Sequence, residues 1–561
     1  MPEMALCYGF PRTRERHRQV SGHRHSRTRS DCERRKPGRA YTINTPKLNS
    51  LPINRKLLFL LALFLASLWI GTLNYRSLVR PDEGRYAEIP REMVATGDWL
   101  TPRLNGIKYF EKPPLQYWAT ASAYTVFGEH HWTARLWTAL CGFLCVLLTF
   151  FGGRRLFGET AAFYSALVLA GSPGFIMVAQ INTLDMGLTL FMSATMMFFL
   201  LGLKEKKTAW LMAAWAASAL AVLSKGLAGF VLPGGVLVAY ALLHRDWRLL
   251  LSVRWGWGLL IFFIIAAPWF VLVQRANPEF FDFFFIHEHF SRFSSGEHRR
   301  PGAWWYFIPV LVFGLLPWLP QLPRALWNGW KATEPAGQLQ PARFLLLWCV
   351  LIFLFFSASG SKLPSYILPI FPALALLLGR VLCDVSFKTL LWQGAALGLG
   401  AVAIVAYAPH VTRWASEKVP VELFALYSPW LVAAGIAGLV GCGVAIGASR
   451  RQMRHTAIIA IAIGMLSTAQ IAALGHHQMA PSYSAHGLAT RILPHLNNEA
   501  KDIPFYSVHT YDQTLDFYIK RTVTLVEYAD LTPTSLTFKR DLTEEEWSKA
   551  GQALHMIQAA D

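Results

Sequence analysis

Charged side chains are scarce in this sequence. Asp, Glu, Lys and Arg make up 16% of the 561 residues, whereas 53% are hydrophobic and 14% are aromatic. Soluble globular proteins carry about a quarter charged residues, so this composition excludes an ordinary soluble enzyme. It predicts a polytopic α-helical membrane protein.

The sequence also lacks the signatures of several kinds of site. Its seven cysteines form no CxxC pair and lie in the N-terminal tail or in and beside apolar segments, so we expect neither disulfide bonds nor a cysteine-bound zinc. The C-terminal region contains no glycine-rich nucleotide loop. No internal repeat of the kind found in many transporters is present.

Positive charge is plentiful but unevenly placed. The formal net charge is +19, and residues 1–55 include RTRERHR and ERRKPGR. We interpret residues 1–55 as a disordered basic tail on the cytoplasmic side, with RNA binding as the alternative. Most other cations lie in short connections between apolar segments, which is typical of cytoplasmic loops. We therefore expect no nucleic-acid partner.

Apolar segments that could each cross a bilayer, which takes about 20 helical residues, fill the region 56–475. If the N-terminus is cytoplasmic, the loop that follows each even-numbered span is also cytoplasmic. Every one of these loops is basic, as the positive-inside rule requires. An odd number of spans places residues 476–561 in the periplasm, where short β-type runs and polar helical ends predict a small α/β domain. The thirteen predicted spans are 57–78, 132–152, 160–179, 184–203, 208–224, 226–244, 255–274, 303–320, 343–359, 365–383, 389–408, 428–448 and 456–475.

Two loops on the predicted periplasmic side hold many cations: the first long loop, residues 80–131, and the second long loop, residues 275–302. Long loops cross the membrane regardless of charge, so the topology stands and the cations indicate an anionic ligand. We predict that the first long loop forms two short juxtamembrane helices, with Asp82 capping the first, Pro90 beginning the second and Gly97 ending it. We expect the second long loop to be flexible.

Three carboxylates at the predicted periplasmic ends of the spans are candidates for catalysis. Asp82 and Glu83 follow the first span, and Asp185 begins the fourth. A carboxylate there can orient a substrate or stabilise positive charge that develops on a sugar ring. The alternative is that Asp82 and Asp185 only cap their helices.

Several cations and aromatic residues are candidates for binding a lipid phosphate. Lys112 could form a surface ion pair with Glu111, but the prolines and aromatic residues around YFEKPP would hold it at the headgroup level, which suits a phosphate. Lys225 and Lys362 each lie at a tight turn. The predicted substrate-binding set is Arg85, Tyr86, Tyr109, Lys112, Lys225, His289, Arg292, Lys362 and Tyr366.

The second long loop contains the sequence FFFIHEHFSRF. Its histidines and Arg292 could clamp over anionic lipid headgroups. A divalent metal held by Glu111, His287 and His289 is the alternative, although HxH by itself is a weak signal. No cofactor is required under the first interpretation.

Three segments resemble a known family: RPDEGRYAEIPREMVATGDWLTPRLNG with KYFEKPPLQYW, then HEHFSRF, then SGSKLPSYILPIFPALALL. Together they are similar to the bacterial 4-amino-4-deoxy-L-arabinose (aminoarabinose) transferases that modify lipid A. These belong to the GT-C superfamily of glycosyltransferases and are related more distantly to protein O-mannosyltransferases. The resemblance covers roughly residues 55–485 and leaves out the basic tail.

The resemblance implies an enzyme of the inner membrane with its site facing the periplasm. The donor would be undecaprenyl phosphate carrying the aminosugar, and the acceptor would be a phosphate of lipid A. The product would lower the negative charge of the cell surface and confer resistance to polymyxin and other cationic peptides. By similarity, Asp82 is the acidic residue after the first span and Lys112 meets the carrier phosphate. Zinc near Glu111 is left open, membrane lipids are further partners, and we expect a monomer.

Two other functions compete with this one. A GT-C enzyme could transfer another polyprenyl-linked sugar to a protein or glycan hydroxyl, which would need Asp82 as a base. A lipid flippase or ion-coupled transporter would instead show charges near mid-bilayer and repeated halves. Here the charges crowd one face, which disfavours the transporter.

Overall fold

The computed structural model of the chain describes residues 55–291, 302–332, 334, 339–498, 505–508 and 510–526. The predicted basic tail therefore lies outside the described residues, except for Arg55. Side chains are not described at every one of these positions; those of His287 and His289 are among the exceptions.

Within the described residues, nine helices are long and apolar enough to cross a membrane, and the number rises to eleven if each of two bent helix pairs is one span. Two shorter apolar helices coincide with the first and sixth predicted spans. Each of the thirteen predicted segments thus overlaps a helix or a bent helix pair, while the count of thirteen crossings stays a prediction. The nine are His131–Phe157, Asp185–Glu205, Thr208–Lys225, Trp255–Ala276, Pro341–Ala358, Pro364–Leu382, Phe387–Trp414, Val421–Arg450 and Arg454–Tyr483; the two shorter ones are Arg55–Ile70 and Ala228–His244.

Both bent pairs break where a proline lies in the first two residues of the second half, Pro173 in one and Pro317 in the other. Glu159–Ala170 meets Pro173–Ala179 at 65°, and Phe307–Gly314 meets Leu316–Lys331 at 99°. Proline lacks the N–H that would continue the preceding helix, and its fixed φ suits a first helical turn. Within longer helices, 3₁₀ turns span Leu316–Gln321, Pro364–Ile370, Ala408–Trp414 and His476–Met479.

The first long loop folds as a helix, a short hairpin and a second helix. The juxtamembrane helix, Asp82–Thr96, is followed by the antiparallel strands Arg103–Leu104 and Ile107–Lys108 and by the helix Leu115–Phe127. The first long loop carries half of the predicted site residues, and four of them lie in the juxtamembrane helix.

Our prediction of two helices divided at Pro90 is wrong, because Pro90 lies inside one continuous helix. The helix tolerates the lost hydrogen bond since most residues of its middle turns are buried and held by packing. Asp82 is its first residue rather than its cap; the cap is Pro81, and no side chain caps the helix. Gly97 ends it as predicted, with φ of +73° and its N–H donating to the carbonyl of Met93 over 3.0 Å.

The second long loop is described as far as residue 291. Residues Asp282–Ser291 form a π-helical turn, preceded by the short helix Arg248–Ser252 and the span Trp255–Ala276 earlier in the chain. Its predicted flexibility remains a prediction.

The described part of the C-terminal region combines short helices with a two-stranded parallel sheet, which confirms the predicted α/β character. Tyr506 pairs with Thr524 and Val508 with Val526. We call residues 505–508 and 510–526 the C-terminal segment. The elements are the helices Ala480–Tyr483, His486–Asn498 and Leu515–Ile519 and the strands Tyr506–Val508 and Thr524–Val526.

Two apolar cores hold these parts together. The larger lies among the membrane helices and contains the fully buried Trp318 and Trp348. The smaller joins the first long loop to the C-terminal region, with Ile89 packed in the same cluster as Leu515 and Ala489. The second core packs the juxtamembrane helix against the C-terminal region.

Candidate active site

A buried ion pair lies at the start of the juxtamembrane helix. Nε and Nη2 of Arg135 donate to Oε1 and Oε2 of Glu83, each over 2.7 Å. The same two oxygens accept the backbone N–H groups of Asn182 and Val79, both at 3.0 Å. Each oxygen of Glu83 therefore accepts one charged and one backbone hydrogen bond.

These contacts favour a positioning role for Glu83 over the catalytic role that we predicted. Burial alone would raise its carboxyl pKa, but the charge and hydrogen bonds of Arg135 outweigh burial and lower the pKa to about 2. The carboxylate stays ionised at physiological pH and is occupied by its own partners. It fixes the first helical turn, and with it the neighbouring Asp82.

Arg135 and Asn182 are functional candidates that the sequence analysis missed. Arg135 lies in the apolar helix His131–Phe157, where a charged residue is a functional candidate by default, so that signal was available. Asn182 gave no such signal. Its importance depends on its neighbours in space, since its N–H binds Glu83 and its Oδ1 accepts from Nε2 of Gln116 at 2.6 Å.

Three predicted site carboxylates converge around one tyrosine. Burial raises the pKa of the Tyr86 hydroxyl, and the negative charges of Asp82, Glu111 and Asp185 raise it further. Asp82 is half-buried, whereas Glu111 and Asp185 are buried. Three separate segments of the chain thus bring their carboxylates to one site.

Arg85 lies among these groups as a charged anchor. Its Nη1 donates to the hydroxyl of Tyr109 over 3.2 Å and lies 4.0 Å from Oε2 of Glu111. Burial opposes its charge, but the surrounding oxygens outweigh burial and raise the pKa of Arg85. Tyr86 stacks on Tyr117 with ring centroids 6.2 Å apart. A guanidinium held in this way is suited to binding an anion.

Lys112 lies beside this cluster on a rigid turn. Its Nζ donates to the backbone carbonyl of Glu111 at 2.7 Å. The turn is anchored by Phe110, which packs edge-on against Phe280 with centroids 5.4 Å apart, and by Pro114, which precedes the helix Leu115–Phe127. The predicted rigidity around Lys112 therefore has a structural basis.

Asp185 and Lys225 form a second ion pair at the same site. Nζ of Lys225 donates to Oδ1 of Asp185 and lies 4.9 Å from the ring centroid of Tyr366. Asp185 is the first residue of its helix and does not cap it; the cap is Leu184. The alternative capping function is therefore wrong for Asp185, as it is for Asp82.

The remaining predicted residues lie at the edge of this cluster or outside the described part. Lys362 is buried and donates to the carbonyl of Ser359. The side chains of His287 and His289 and the whole of Arg292 are not described. In the part of the chain that is described, no group of three or more His, Cys, Asp or Glu side chains could hold a metal ion. The metal site stays a prediction.

An apolar cavity of about 1090 Å³ opens beside the carboxylates. Its charged lining residues are Arg76, Asp82 and Glu83, and the rest of its lining comes mainly from several membrane helices. A charged mouth above an apolar chamber suits an amphiphile whose headgroup is polar. Wall residues include Val178, Leu397, Ile404, Ile461 and Met465.

The fold and the site define the class of the protein. A polytopic helical membrane bundle whose acidic juxtamembrane helix faces an apolar cavity has the architecture of GT-C glycosyltransferases. The family model for dolichyl-phosphate-mannose-protein mannosyltransferase matches residues 55–284, and the model for the aminoarabinose transferase C-terminal domain matches residues 488–560.

Known proteins narrow the class to one family. The structure of ArnT from Cupriavidus metallidurans bound to undecaprenyl phosphate is similar over 88% of this chain and 89% of that one, with 37% identity and a TM-score of 0.81. An undecaprenyl phosphate-alpha-4-amino-4-deoxy-L-arabinose arabinosyl transferase of Proteus mirabilis is 32% identical over 68% of this chain and 70% of its own length. The chain belongs to this arabinosyl transferase family.

Some alignments to relatives are shorter. The chain is 34% identical to a transferase of the same name from Pseudomonas fluorescens over 61% of its own length, and it spans 62% of the length of that relative.

Proposed function

We propose that the chain transfers 4-amino-4-deoxy-L-arabinose from undecaprenyl phosphate to a phosphate group of lipid A. The observation that carries the proposal is the convergence of Asp82, Glu111 and Asp185 with Arg85 and Lys225 in one cluster, in which Asp82 also lines an apolar cavity. The names of the relatives supply the sugar and its carrier. The reaction takes place at the periplasmic face of the inner membrane, and its product reduces the binding of cationic peptides such as polymyxin.

The reaction exchanges one phosphate for another at the anomeric carbon. The bond from this carbon to the oxygen of undecaprenyl phosphate breaks, and a bond to an oxygen of the lipid A phosphate forms. An acceptor phosphate is already an anion near neutral pH, so its attack requires no general base. The demand on the protein is to orient the sugar and stabilise the charges that develop.

Asp82 is suited to the sugar side of this reaction. Its carboxylate can orient the ammonium group of the aminosugar and stabilise positive charge as the ring becomes oxocarbenium-like. The Glu83–Arg135 pair fixes its helical turn. Asp82 thus contributes electrostatically, with no proton to remove.

The cations are suited to the two phosphates. Lys112, on its rigid turn, stabilises the departing carrier phosphate, which gains negative charge as the bond breaks. Lys225, held by Asp185 over Tyr366, and Arg85 supply positive charge for the acceptor. The cavity accommodates lipid chains while the headgroups meet at its mouth.

Mass spectrometry of lipid A tests the proposal. The host is a strain that lacks its own transferase but makes the lipid-linked aminosugar, complemented with the wild type, Asp82→Asn or Lys112→Ala. We expect one added aminopentose per modified phosphate with the wild type and at least a tenfold loss with each variant at equal expression. Glu417→Gln, a change at an exposed acid, serves as the control and should retain the wild-type level.

Unmodified lipid A with well-expressed wild type would contradict the proposal. The match to the mannosyltransferase model would then favour transfer of another polyprenyl-linked sugar to a hydroxyl acceptor. In that reaction Asp82 would act as a base.

A further inference from the structure

The C-terminal segment contacts the juxtamembrane helix from its first turn to the hairpin that follows it. At the start, the N–H of Leu78 donates to the hydroxyl of Tyr518 over 2.8 Å. A Cβ added to Gly84 would lie 2.5 Å from the backbone of Gln513, so the two backbones touch. At the far end, Asn105 exchanges two hydrogen bonds with the backbone of Val523 over 2.8 and 2.7 Å.

Three buried carboxylates lie in this interface. Glu88 and Asp516 are 0% exposed and Glu92 is 4% exposed. The guanidinium of Arg91 donates two hydrogen bonds to Glu88, at 2.7 and 2.6 Å. If all three acids were ionised, Arg91 would leave two buried negative charges uncompensated.

The hydrogen bonds do not satisfy three carboxylate anions. Asp516 accepts from the Tyr511 hydroxyl at 2.7 Å, and Glu92 accepts from the N–H of Gly106 at 2.9 Å. The second oxygen of each, Oδ1 of Asp516 and Oε1 of Glu92, is buried without a hydrogen-bond partner among the described residues. A bare anionic oxygen in such a place is costly, whereas a protonated carboxyl can donate to a neighbouring acid.

The electrostatic surroundings agree with this geometry. Burial raises the pKa of Asp516 to about 8, and the charge of Glu92 adds to the effect. Burial also raises the pKa of Glu88 and of Glu92, despite the opposing charge of Arg91. The other titratable groups that face the cluster are Tyr511, Tyr124, Asp512 and Glu129.

We propose that Asp516, Glu88 and Glu92 hold a proton that keeps the C-terminal segment docked on the juxtamembrane helix, and that Asp516 thereby positions Asp82 for the transfer reaction. The second half of this inference rests on the function proposed above. Asp516 is a positioning residue, because it acts through the helix that carries Asp82 and has no contact with the reacting groups.

The docked state is most stable at low pH. Because the pKa of Asp516 is raised in the folded protein, its stabilising contribution declines as pH rises from its ordinary value of 3.8 towards about 8. Above that point the acid ionises within the interface. The helix that carries Asp82 then loses one of the two contacts that hold it, while the Glu83–Arg135 pair remains.

Thermal unfolding of the full-length protein in detergent tests whether the three acids hold a proton, and it needs no assay of transfer. We expect the melting temperature of the wild type to fall between pH 6 and pH 9 and that of Asp516→Asn to fall much less, because asparagine is neutral and can donate to Glu92. Glu129→Gln is the matched control, since Glu129 lies at the same interface but is paired with Lys520 at 3.2 Å. It should keep the wild-type pH dependence.

Transfer to lipid A in vesicles, measured over the same pH range, tests the positioning. Wild-type activity should fall by up to about tenfold per pH unit above pH 8. Asp516→Asn should retain at least a third of the activity at pH 7 and lose this decline, whereas Asp516→Ala should be weak at every pH.

The two measurements separate the two proposals. If the melting temperatures of the wild type and Asp516→Asn fell equally with rising pH, the inference of a bound proton would be overturned, whatever the transfer assay gives. If the two melting temperatures diverged with pH but the wild type transferred no sugar, the inference of a bound proton would stand and the proposed function would be rejected. The positioning role would be rejected if the melting temperatures diverged with pH but the activity of Asp516→Asn still declined above pH 8 as the wild-type activity does.

Discussion

At the scale of single residues, the site is built from pairs that stabilise each other. Glu83 with Arg135 and Asp185 with Lys225 each place opposite charges in contact where water is largely excluded. Removing one member of such a pair leaves an uncompensated buried charge, which costs more than the pair itself contributes. Asp82 differs because it is half-buried and lies at the cavity mouth.

We predict that Glu83→Gln destabilises the protein by about 3–5 kcal/mol and abolishes transfer, because Arg135 is left buried without its counter-charge. Thermal unfolding of the purified protein measures the first effect, and lipid A modification the second. Asp82→Asn is the control: it should abolish transfer and leave the melting temperature within about 2 °C of wild type. A Glu83→Gln protein that melts like the wild type would show that the pair is not what fixes the helix.

The same pair predicts the acid limit of stability. Since the pKa of Glu83 is lowered from 4.5 to about 2 in the folded protein, its contribution is present above the ordinary value and is lost as pH falls through about 2. The melting temperature of the wild type should therefore fall more steeply below pH 4 than that of Glu83→Gln. Equal slopes would contradict this assignment.

At the scale of elements, the juxtamembrane helix is the part on which the site depends. It carries Asp82, Arg85 and Tyr86 on its first turns and Glu88 and Glu92 further along. The membrane bundle holds its start through Arg135, and the C-terminal segment packs along the other side. Its position is therefore set from two directions.

We predict that Gly84→Ala destabilises the protein by about 1–3 kcal/mol, since its Cβ would meet the backbone of Gln513 at 2.5 Å and backbone cannot move aside cheaply. Because the clash lies two residues from Asp82, transfer should also fall. Gly487→Ala is the matched control: it lies in the helix His486–Asn498 with open space around it, so alanine should be neutral or slightly stabilising. Thermal unfolding of both variants decides the matter, and equal melting temperatures would argue against a tight interface.

At the scale of the whole molecule, the charged site opens onto an apolar cavity of about 1090 Å³ within the helical bundle. Under the proposed function, this arrangement would keep a lipid chain in the bundle while its headgroup reaches the carboxylates. The cavity walls include several small residues, and one of them, Gly400, has open space where a side chain would be.

We predict that Gly400→Leu raises the KM for a lipid substrate about tenfold and changes kcat little, because the new side chain fills space that the lipid occupies in ground state and transition state alike. Gly443→Leu is the control, since Gly443 also has open space but does not line the cavity. Steady-state transfer kinetics in vesicles measure both. An unchanged KM for Gly400→Leu would show that neither lipid uses this cavity.

Much of the fold and part of the candidate site could be predicted from the sequence, because they depend on interactions between residues that are close in sequence. The helical membrane class follows from composition, and the spans follow from apolar runs of fixed length. The end of the juxtamembrane helix follows from Gly97, because glycine adopts the left-handed conformation that its φ of +73° requires. The motif around Asp82 and Lys112, together with HEHFSRF and SGSKLPSYILPIFPALALL, indicated the family.

Only the tertiary structure decided which residues pair. Pro90 lies inside a helix because packing on both sides outweighs its local tendency to break one. Glu83 is better suited to positioning than to catalysis because Arg135, 52 positions away, binds both its oxygens. Asp516 faces Glu88 and Glu92 across more than 400 residues of sequence. Hydropathy and turn chemistry determine local elements, whereas long-range charge pairing depends on the path of the whole chain.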